Sequence, residues 1–327
     1  MGSRANVAIR MDGAWTHCGG DSIGYSLDAY LALGPEPALA VFGAMPAWED
    51  TGMWQSESVC EAGALIDLDA RELLFFLDVD YHQRLALLEG CGRTWPGWTV
   101  RWAYNGIADV TDALGLDRAV LGRTPWDNTA LFKWHKPGPD EELVLHHLIT
   151  VGTTAYGVDY NAEDPWSIGP ALLDQLFELP RVTTLPRIPR SGLHLDPAAR
   201  TAGVWSVQPV HGLTERFADR WPGWTLRFWE DRYLEQQRRC GNGFAFADPA
   251  DLADAAAQTL VDRVLRHWVP ATATSGGWMP REGAGDPYRG QRDAGLTVED
   301  LQPLTDALLG PARAPVDVAA YARAMLD

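Results

Sequence analysis

Trp95-Pro-Gly-Trp-Thr-Val-Arg101 recurs almost unchanged as Trp221-Pro-Gly-Trp-Thr-Leu-Arg227, 126 positions further along the chain. The two copies align without a gap onward to Gly115 and Gly241. Chance does not account for an agreement of this length in a motif with two tryptophans. The chain is therefore interpreted as an internal duplication, and the motif marks the same point in each copy.

Weaker anchors upstream extend the duplication over most of the chain. Gly34-Pro35 corresponds to Gly169-Pro170. After small insertions, Gly63-Ala-Leu-Ile-Asp-Leu-Asp69 resembles Ser191-Gly-Leu-His-Leu-Asp196. Each copy is therefore expected to form a complete structural unit.

Hydrophobic periodicity assigns the same elements to both copies. Asp12-Gly13 is a strong hairpin signal, and Gly-Pro opens a short helix because proline is tolerated in a first helical turn. This helix is expected to end before Pro46 in one copy and before Pro180 in the other. A second helix, 81–90 or 212–220, leads into the motif, whose last residues alternate as in a strand.

Helices and strands come in ββ-α-ββ-α-β blocks, without the steady βαβ alternation of a parallel sheet. The predicted fold class is α+β: two pseudo-symmetric repeats of mostly antiparallel sheet with helices, plus a C-terminal helical extension. The expected domains are a first repeat (1–124), a linker (125–147), a second repeat (148–247) and a C-terminal helical segment (248–327) with a long Gly-rich loop (271–296). After that loop, Thr297-x-x-Asp300 resembles a capping box.

Composition limits the partners. The chain has 327 residues, 46% hydrophobic and 22% charged, which is typical of a folded protein. Its formal net charge of −17 repels phosphate backbones and anionic lipids. Nucleic acid and membrane are therefore poor partners, whereas a basic protein partner suits the charge.

No apolar run approaches the length of a membrane-spanning helix, and no leader pattern begins the sequence. A cytoplasmic location is predicted on this basis. The four cysteines are scattered without a C-x-x-C pair, so they are interpreted as reduced thiols. No phosphate-binding glycine loop is present, and neither a cofactor nor a metal is predicted.

The nearest match to a catalytic motif is Gly20-Asp21-Ser22-Ile23-Gly24, which fits the G-x-S-x-G nucleophile elbow. It also looks like the Gly-Asp-Ser-Leu block of lipolytic esterases. That family would supply a late Asp-x-x-His, and Asp262 and His267 have the wrong spacing. Ser22 is therefore only a weak nucleophile candidate, and a turn is the favoured interpretation.

Other weak catalytic candidates are carboxylates and imidazoles. Asp78, Asp80 and His82 fall within five residues and could act as oxygen and nitrogen ligands. The same residues suit the start of a helix, where aspartate is favoured. His211 is the repeat counterpart of His82, and both are more often core histidines.

Candidate binding residues come from two places. Arg101 and Arg227 end the two motifs and could bind a carboxylate from an exposed sheet face. The others belong to the Gly-rich loop and are Trp278, Arg281, Tyr288 and Arg289. Long loops of this kind are often functional or disordered.

The N-terminal hairpin, the Gly-Pro helix and the Trp-Pro-Gly-Trp motif together resemble an actinobacterial family of duplicated proteins without an assigned activity. The lysine-poor, Ala-, Gly- and Pro-rich composition suggests a high-GC bacterial genome. The resemblance implies fold and source, and it brings no catalytic residue.

The leading hypothesis is a non-enzymatic binding protein, in particular an immunity or inhibitor protein that neutralises a basic partner through an acidic, Trp-rich surface. The 15 tryptophans and the net charge motivate it. One alternative is an enzyme, for instance a hydrolase, acting on a small molecule in the cleft between the repeats. Another is a subunit of a larger assembly.

Overall fold

A computed structural model describes residues 3–123, 145–158, 164–246, 250–273 and 294–326. The chain divides into two compact units. The first comprises Met1–Asp78, His82–Gly122 and Ala250–Asp327, and the second comprises Val79–Tyr81 and Arg123–Pro249. The C-terminal segment thus belongs to the unit built from the first repeat.

The first unit contains a five-stranded sheet in the order β2-β1-β3-β4-β5. Its strands are β1 (Ala5–Met11), β2 (Ala14–Gly20), β3 (Ala62–Asp67), β4 (Glu72–Phe76) and β5 (Thr99–Trp102). Its repeat helices are α1 (Leu27–Leu31), α2 (Pro35–Gly43), α3 (Tyr81–Thr94) and α4 (Ile107–Leu114). The hairpins β1–β2 and β3–β4 are antiparallel, whereas β1–β3 and β4–β5 are parallel.

The second unit repeats this topology with a sheet in the order β11-β10-β9-β6-β7. Its strands are β6 (His147–Val151), β7 (Thr154–Val158), β9 (Ser191–Asp196), β10 (Thr201–Ser206) and β11 (Thr225–Phe228). Its helices are α5 (Leu213–Arg220) and α6 (Tyr233–Arg239), and β8 (Thr184–Leu185) pairs with β12 (Ala245–Phe246). The same pairs of strands are parallel and antiparallel as in the first unit.

The signature tryptophans hold equivalent points together in both units. The Trp95 indole Nε1 donates to the Leu31 carbonyl at 2.7 Å, and the Trp221 Nε1 donates to the Trp166 carbonyl at 2.7 Å. Both indoles are fully buried. The second tryptophan of each motif packs edge-on against the first, with ring centroids 4.9 Å apart. The motif therefore fixes the end of one helix against the segment before the Gly-Pro turn.

Glycine is required at that turn. Gly34 and Gly169 have φ angles of +105° and +86°, which side chains rarely adopt. A Cβ atom would lie 2.6 Å from the Thr94 carbonyl oxygen at Gly34 and 2.5 Å from the Arg220 carbonyl oxygen at Gly169. Each glycine thus allows the turn to approach the helix that precedes the signature tryptophan.

The hairpin registers correct one detail of the sequence alignment. Gly63 pairs with Phe76 and Gly192 pairs with Trp205. The positions four residues further on, Asp67 and Asp196, each accept a hydrogen bond from a main-chain N–H of the following turn. Asp196 is therefore the counterpart of Asp67, two residues from the Asp69 that the sequence comparison placed there.

Three further helices complete the first unit: α7 (Ala250–Ala273), α8 (Val298–Leu309) and α9 (Val318–Leu326). Helix α7 is attached through the buried Trp268, whose Nε1 donates to the Ala29 carbonyl at 3.0 Å. Helix α8 ends on Arg93, whose guanidinium donates to the carbonyls of Ala307 and Leu308. The capping box of Thr297 and Asp300 is present as the sequence predicts.

The α+β class and the C-terminal helices are confirmed, with two differences in detail. The pairings in each sheet divide equally between antiparallel and parallel. The second Gly-Pro segment forms two short 3-10 turns, Pro170–Asp174 and Leu176–Glu178, and the expected α-helix is not found there. Within the described residues, no helix combines the length and apolar character needed to cross a membrane.

Trp95→Phe is expected to lower the free energy of unfolding of the first unit by about 2–4 kcal/mol. It removes the 2.7 Å indole hydrogen bond from the buried Leu31 carbonyl, which keeps only longer bonds from the Gly34 N–H at 3.4 Å and the Cys91 thiol at 3.8 Å, and it opens a small cavity. Trp98→Phe is the matched control, since Trp98 is half-buried, and it should cost about 1 kcal/mol or less. Urea unfolding followed by circular dichroism measures both, and equal losses would contradict the assigned role of the indole bond.

Candidate functional site

The shared topology makes the places where the two units differ informative. The hairpin β1–β2 closes on Met11 and Ala14, whereas β6–β7 closes on Val151 and Thr154. When the two hairpins are aligned through their parallel neighbours β3 and β9, the hairpin β1–β2 extends beyond the end of β6–β7. The segment between α2 and β3 is also longer than its counterpart before β9. Both additions to the first unit meet at one place.

Three tryptophans surround His17 at that place, and we call this group the tryptophan cluster: Trp15, His17, Trp48 and Trp54. The centroid of the His17 ring lies 5.1 Å from that of Trp54, 5.5 Å from that of Trp48 and 5.9 Å from that of Trp15. Trp15 and Trp54 meet edge to face at 6.3 Å. Such contacts between rings are favourable beyond the area they bury.

The histidine at the centre of the cluster is buried in a way that favours its uncharged form. His17 is 1% exposed, and neither ring nitrogen has a hydrogen bond of good geometry with a described residue. Burial lowers its pKa, although the nearby carbonyls of Met53 and Trp48 and the charge of Asp50 act in the opposite direction. The uncharged imidazole therefore serves as an aromatic neighbour for the tryptophans.

A buried amide anchors the loop that carries two of these tryptophans. The side chain of Asn6 donates to the Gln55 carbonyl at 2.9 Å and accepts from the Gln55 N–H at 3.0 Å. On the other side, the main chains of His17 and Trp48 exchange two hydrogen bonds of 2.9 Å. The position of Asn6 in β1 corresponds to the apolar Leu148 in β6. The second unit has a similar main-chain bridge between Tyr156 and Arg181, but its described residues place no side-chain amide at the position of Asn6.

The outer surface of the tryptophan cluster combines aromatic and acidic groups. The three tryptophan side chains are half-buried, so part of each ring faces solvent. Glu49 and Asp50 lie in the same loop and are exposed, and Met53 is half-exposed beside Trp54. Rings attract cations through their faces, and carboxylates attract them at longer range. The surface therefore suits a cationic group.

The second unit differs in another way, by a polar network inside its sheet. The Gln236 Oε1 accepts from the Trp205 indole at 2.5 Å, and its Nε2 donates to Thr150 Oγ1 at 3.1 Å and to two main-chain carbonyls. Thr150 Oγ1 lies 2.8 Å from His194 Nδ1. Because an indole can only donate, the amide orientation is determined, and the threonine proton is free to point at the histidine.

Thr150 and His194 share one hydrogen bond of this network. When the threonine hydroxyl donates to Nδ1, the neutral ring carries its proton on Nε2. Burial lowers the pKa of His194, opposed by Asp196 and assisted by Arg239. The positions equivalent to the four network residues in the first unit are all apolar: Ala8, Leu65, Phe76 and Val110. The network is a property of the second unit alone.

The catalytic candidates from the sequence lie in turns and at the start of a helix. Ser22 is exposed in a turn after the edge strand β2, and its side chain caps no described residue. Asp78 and Asp80 are exposed between β4 and α3, and His82 lies in the first turn of α3. No set of three His, Cys, Asp or Glu side chains in the described part of the chain could hold a metal ion.

The remaining described candidates lie in one turn and on two strands. His211 has a positive φ of 42° in the turn before α5. Arg101 is exposed on β5 and forms an ion pair with Glu72 on the neighbouring strand β4. Arg227 is exposed at the equivalent point of β11. Trp278, Arg281, Tyr288 and Arg289 lie outside the described residues.

Comparison with known proteins finds no family model, no curated relative and no solved structure that matches this chain. The resemblance to an actinobacterial family remains an expectation, and the function has to be argued from the site itself.

Asn6→Leu, which introduces the residue of the second unit, is expected to release the loop that carries Trp48 and Trp54. The Gln55 main chain would lose both hydrogen bonds, a cost of about 1–3 kcal/mol. Limited proteolysis within 44–61 should become faster, and tryptophan fluorescence should shift to the red. Gln55→Ala is the control, because it keeps the main-chain groups that Asn6 binds, and it should behave as the wild type.

Acid should destabilise both units through their buried histidines. The pKa values of His17 and His194 are lowered in the folded state, so the unfolded chain binds protons first as the pH falls below about 6.5. Each histidine then costs up to about 1.4 kcal/mol per pH unit until its folded form also protonates. Unfolding free energies between pH 7.5 and 5 measure the effect.

Two variants isolate these contributions. His17→Phe should flatten the pH dependence of the first unit. Thr150→Ala combined with His194→Leu, the residues found at the equivalent points of the first unit, should flatten that of the second. An unchanged pH dependence in both variants would contradict the assignment.

Proposed function

We propose that this chain is a binding protein that recognises a basic protein partner through the tryptophan cluster. The observation that carries the proposal is the half-buried Trp15–Trp48–Trp54 group with Glu49 and Asp50 at its edge. It occupies the hairpin and loop that the first unit has in addition to the shared topology. Burying the polar side chain of Asn6 to hold this loop costs free energy. A role of the surface in recognition gives a reason for that cost.

The chemistry of the surface supports a cationic partner. An arginine or lysine over a tryptophan face contributes about 0.5–1 kcal/mol when exposed and about 2 kcal/mol when desolvated. Arginine suits the cluster better, since its planar guanidinium stacks on rings and binds carboxylates with two parallel hydrogen bonds. Trp and Arg are the residues most enriched at interface hot spots.

The charge of the whole chain supports the same partner. With a formal net charge of −17, the protein attracts basic proteins at long range and accelerates their encounter. An acidic protein that covers an arginine-rich surface would block access to it. An immunity or inhibitor protein is therefore the class of binding protein that we propose.

Trp48→Ala and Trp15→Ala should each weaken binding to the partner by about tenfold or more, as expected for a hot-spot residue. Capture from a lysate identifies candidates, and isothermal titration with each purified candidate measures the affinity. A true partner should be basic, should bind more weakly as salt is raised, and should lose activity in the complex. Phe177→Ala is the control, since this side chain is 80% exposed in the second unit.

Three results would count against the proposal. One is equal binding of the candidates to wild type and to both tryptophan variants, and another is an equal loss of affinity with Phe177→Ala. A binding partner without basic character would contradict the electrostatic argument. Circular dichroism of each variant shows whether a loss of binding reflects a loss of fold.

A further inference from the structure

A serine and a histidine that do not belong to the tryptophan cluster form a hydrogen bond on the first unit. Ser26 lies immediately before α1, and His267 lies on α7. The Ser26 Oγ is 2.7 Å from His267 Nε2, and His267 Nδ1 is 2.9 Å from the carbonyl oxygen of Arg263. These distances lie within the range for a nucleophile and its general base.

The carbonyl determines the direction of both hydrogen bonds. A carbonyl oxygen can only accept, so Nδ1 of His267 carries the proton. In the neutral imidazole, Nε2 is then the acceptor, and the Ser26 hydroxyl donates to it. This is the tautomer in which a histidine can remove the proton of a serine hydroxyl. The Arg263 carbonyl performs the orienting role that a carboxylate has in a catalytic triad.

Ser26 also gives up the structural role that its position offers. It is the N-cap residue of α1, where a serine hydroxyl usually accepts from a main-chain N–H of the first turn. Its side chain makes no such bond within the described part of the chain and turns to His267. A purely structural serine at this point would be expected to cap the helix.

The pair is held firmly and is accessible to solvent. Arg263 donates to the Asp28 carboxylate at 3.0 Å and to the Tyr25 carbonyl at 2.7 Å, which fixes the turn of α7 below the histidine. The Tyr30 ring packs edge-on against the His267 ring, with centroids 6.0 Å apart. Ser26 and His267 are both half-buried, and Tyr25 beside them is 54% exposed.

We propose that Ser26 is a nucleophile activated by His267 and that it cleaves uncharged carboxylic esters. Ser26 Oγ forms a bond to the acyl carbon while its proton passes to His267 Nε2. The alcohol leaves as the ester C–O bond breaks and takes that proton. Water, deprotonated by His267, then releases the acid and regenerates Ser26. The negative net charge and the buried Asp28 disfavour an anionic substrate.

Ser26 and His267 take no part in the proposed binding surface. The nucleophile lies four positions after Ser22, the serine that the sequence motif offers for a hydrolase. Asp28, Arg263 and Tyr30 are positioning residues in this scheme. The reactivity of Ser22, which matches a sequence motif, can therefore be compared directly with that of Ser26, which has a histidine base.

The first experiment is labelling of the full chain with a fluorophosphonate, which forms an Oγ–P bond at an activated serine and loses fluoride. Peptide mass spectrometry should find the label on Ser26. Ser26→Ala should abolish labelling, Ser22→Ala should retain it, and His267→Gln should slow it by about 100-fold. Hydrolysis of p-nitrophenyl acetate should follow the same order.

The second experiment uses the reactivity of an introduced thiol, so it does not depend on the choice of ester. Ser26→Cys should react with iodoacetamide near neutral pH about tenfold faster than Ser22→Cys, although Ser22 is more exposed. The four native cysteines are buried, and burial raises the pKa of Cys18 and Cys60 to about 12. They should contribute no background.

Circular dichroism and thermal unfolding show whether each variant folds, and Ser26→Gly replaces Ser26→Ala if the latter does not, since an N-cap accepts glycine. Labelling at Ser22, equal labelling of wild type and Ser26→Ala, or no labelling of folded wild type would overturn the proposal. So would equal thiol reactivity at positions 26 and 22.

Discussion

Each unit depends on one buried hydrogen bond, from the first tryptophan of the signature to the carbonyl just ahead of the Gly-Pro turn. An indole inside a core needs an acceptor, because an unpaired buried N–H is costly. Here the acceptor comes from a segment some sixty residues earlier, so the bond closes a long loop. The glycine of the turn permits this approach, and the chain leaving the tryptophan continues directly into the last strand of the sheet. Helix, turn and strand are thus held by one ring.

The duplicated frame gives each unit freedom to diverge elsewhere. In the second unit, a sheet face that is apolar in the first carries Thr150 and His194, and Gln236 of helix α6 hydrogen-bonds to that face. Buried polar groups are costly unless they are paired, and Gln236 uses both ends of its amide to form hydrogen bonds. The first unit keeps the apolar face. It differs from the second by an extended hairpin, an anchored loop and three tryptophans. Polar buried residues thus mark both divergences, Asn6 in one unit and Gln236 in the other.

Much of the fold follows from local patterns, whereas the candidate sites do not. The capping box of Thr297, the Gly-Pro turns and the α+β class are encoded by residues close together in sequence. The tryptophan cluster joins a hairpin strand to a loop some thirty residues later. The pair Ser26–His267 is separated by 241 positions. A motif search finds Ser22, because it reads neighbours along the chain, and it cannot find a serine whose partner arrives through folding.

By itself, the sequence determined that the chain is duplicated, that each copy mixes helices and strands, and that the net charge of the chain is strongly negative. These properties follow from periodicity, turn chemistry and the count of charges, which are local or additive. Only the tertiary structure decided that half of the strand pairs in each five-stranded sheet are parallel, that Asp196 corresponds to Asp67, and which polar side chains meet. Strand register and side-chain contacts depend on how two distant segments bury their apolar faces against each other. The free energy of that burial is a property of the two segments together, so neither segment's sequence determines it alone.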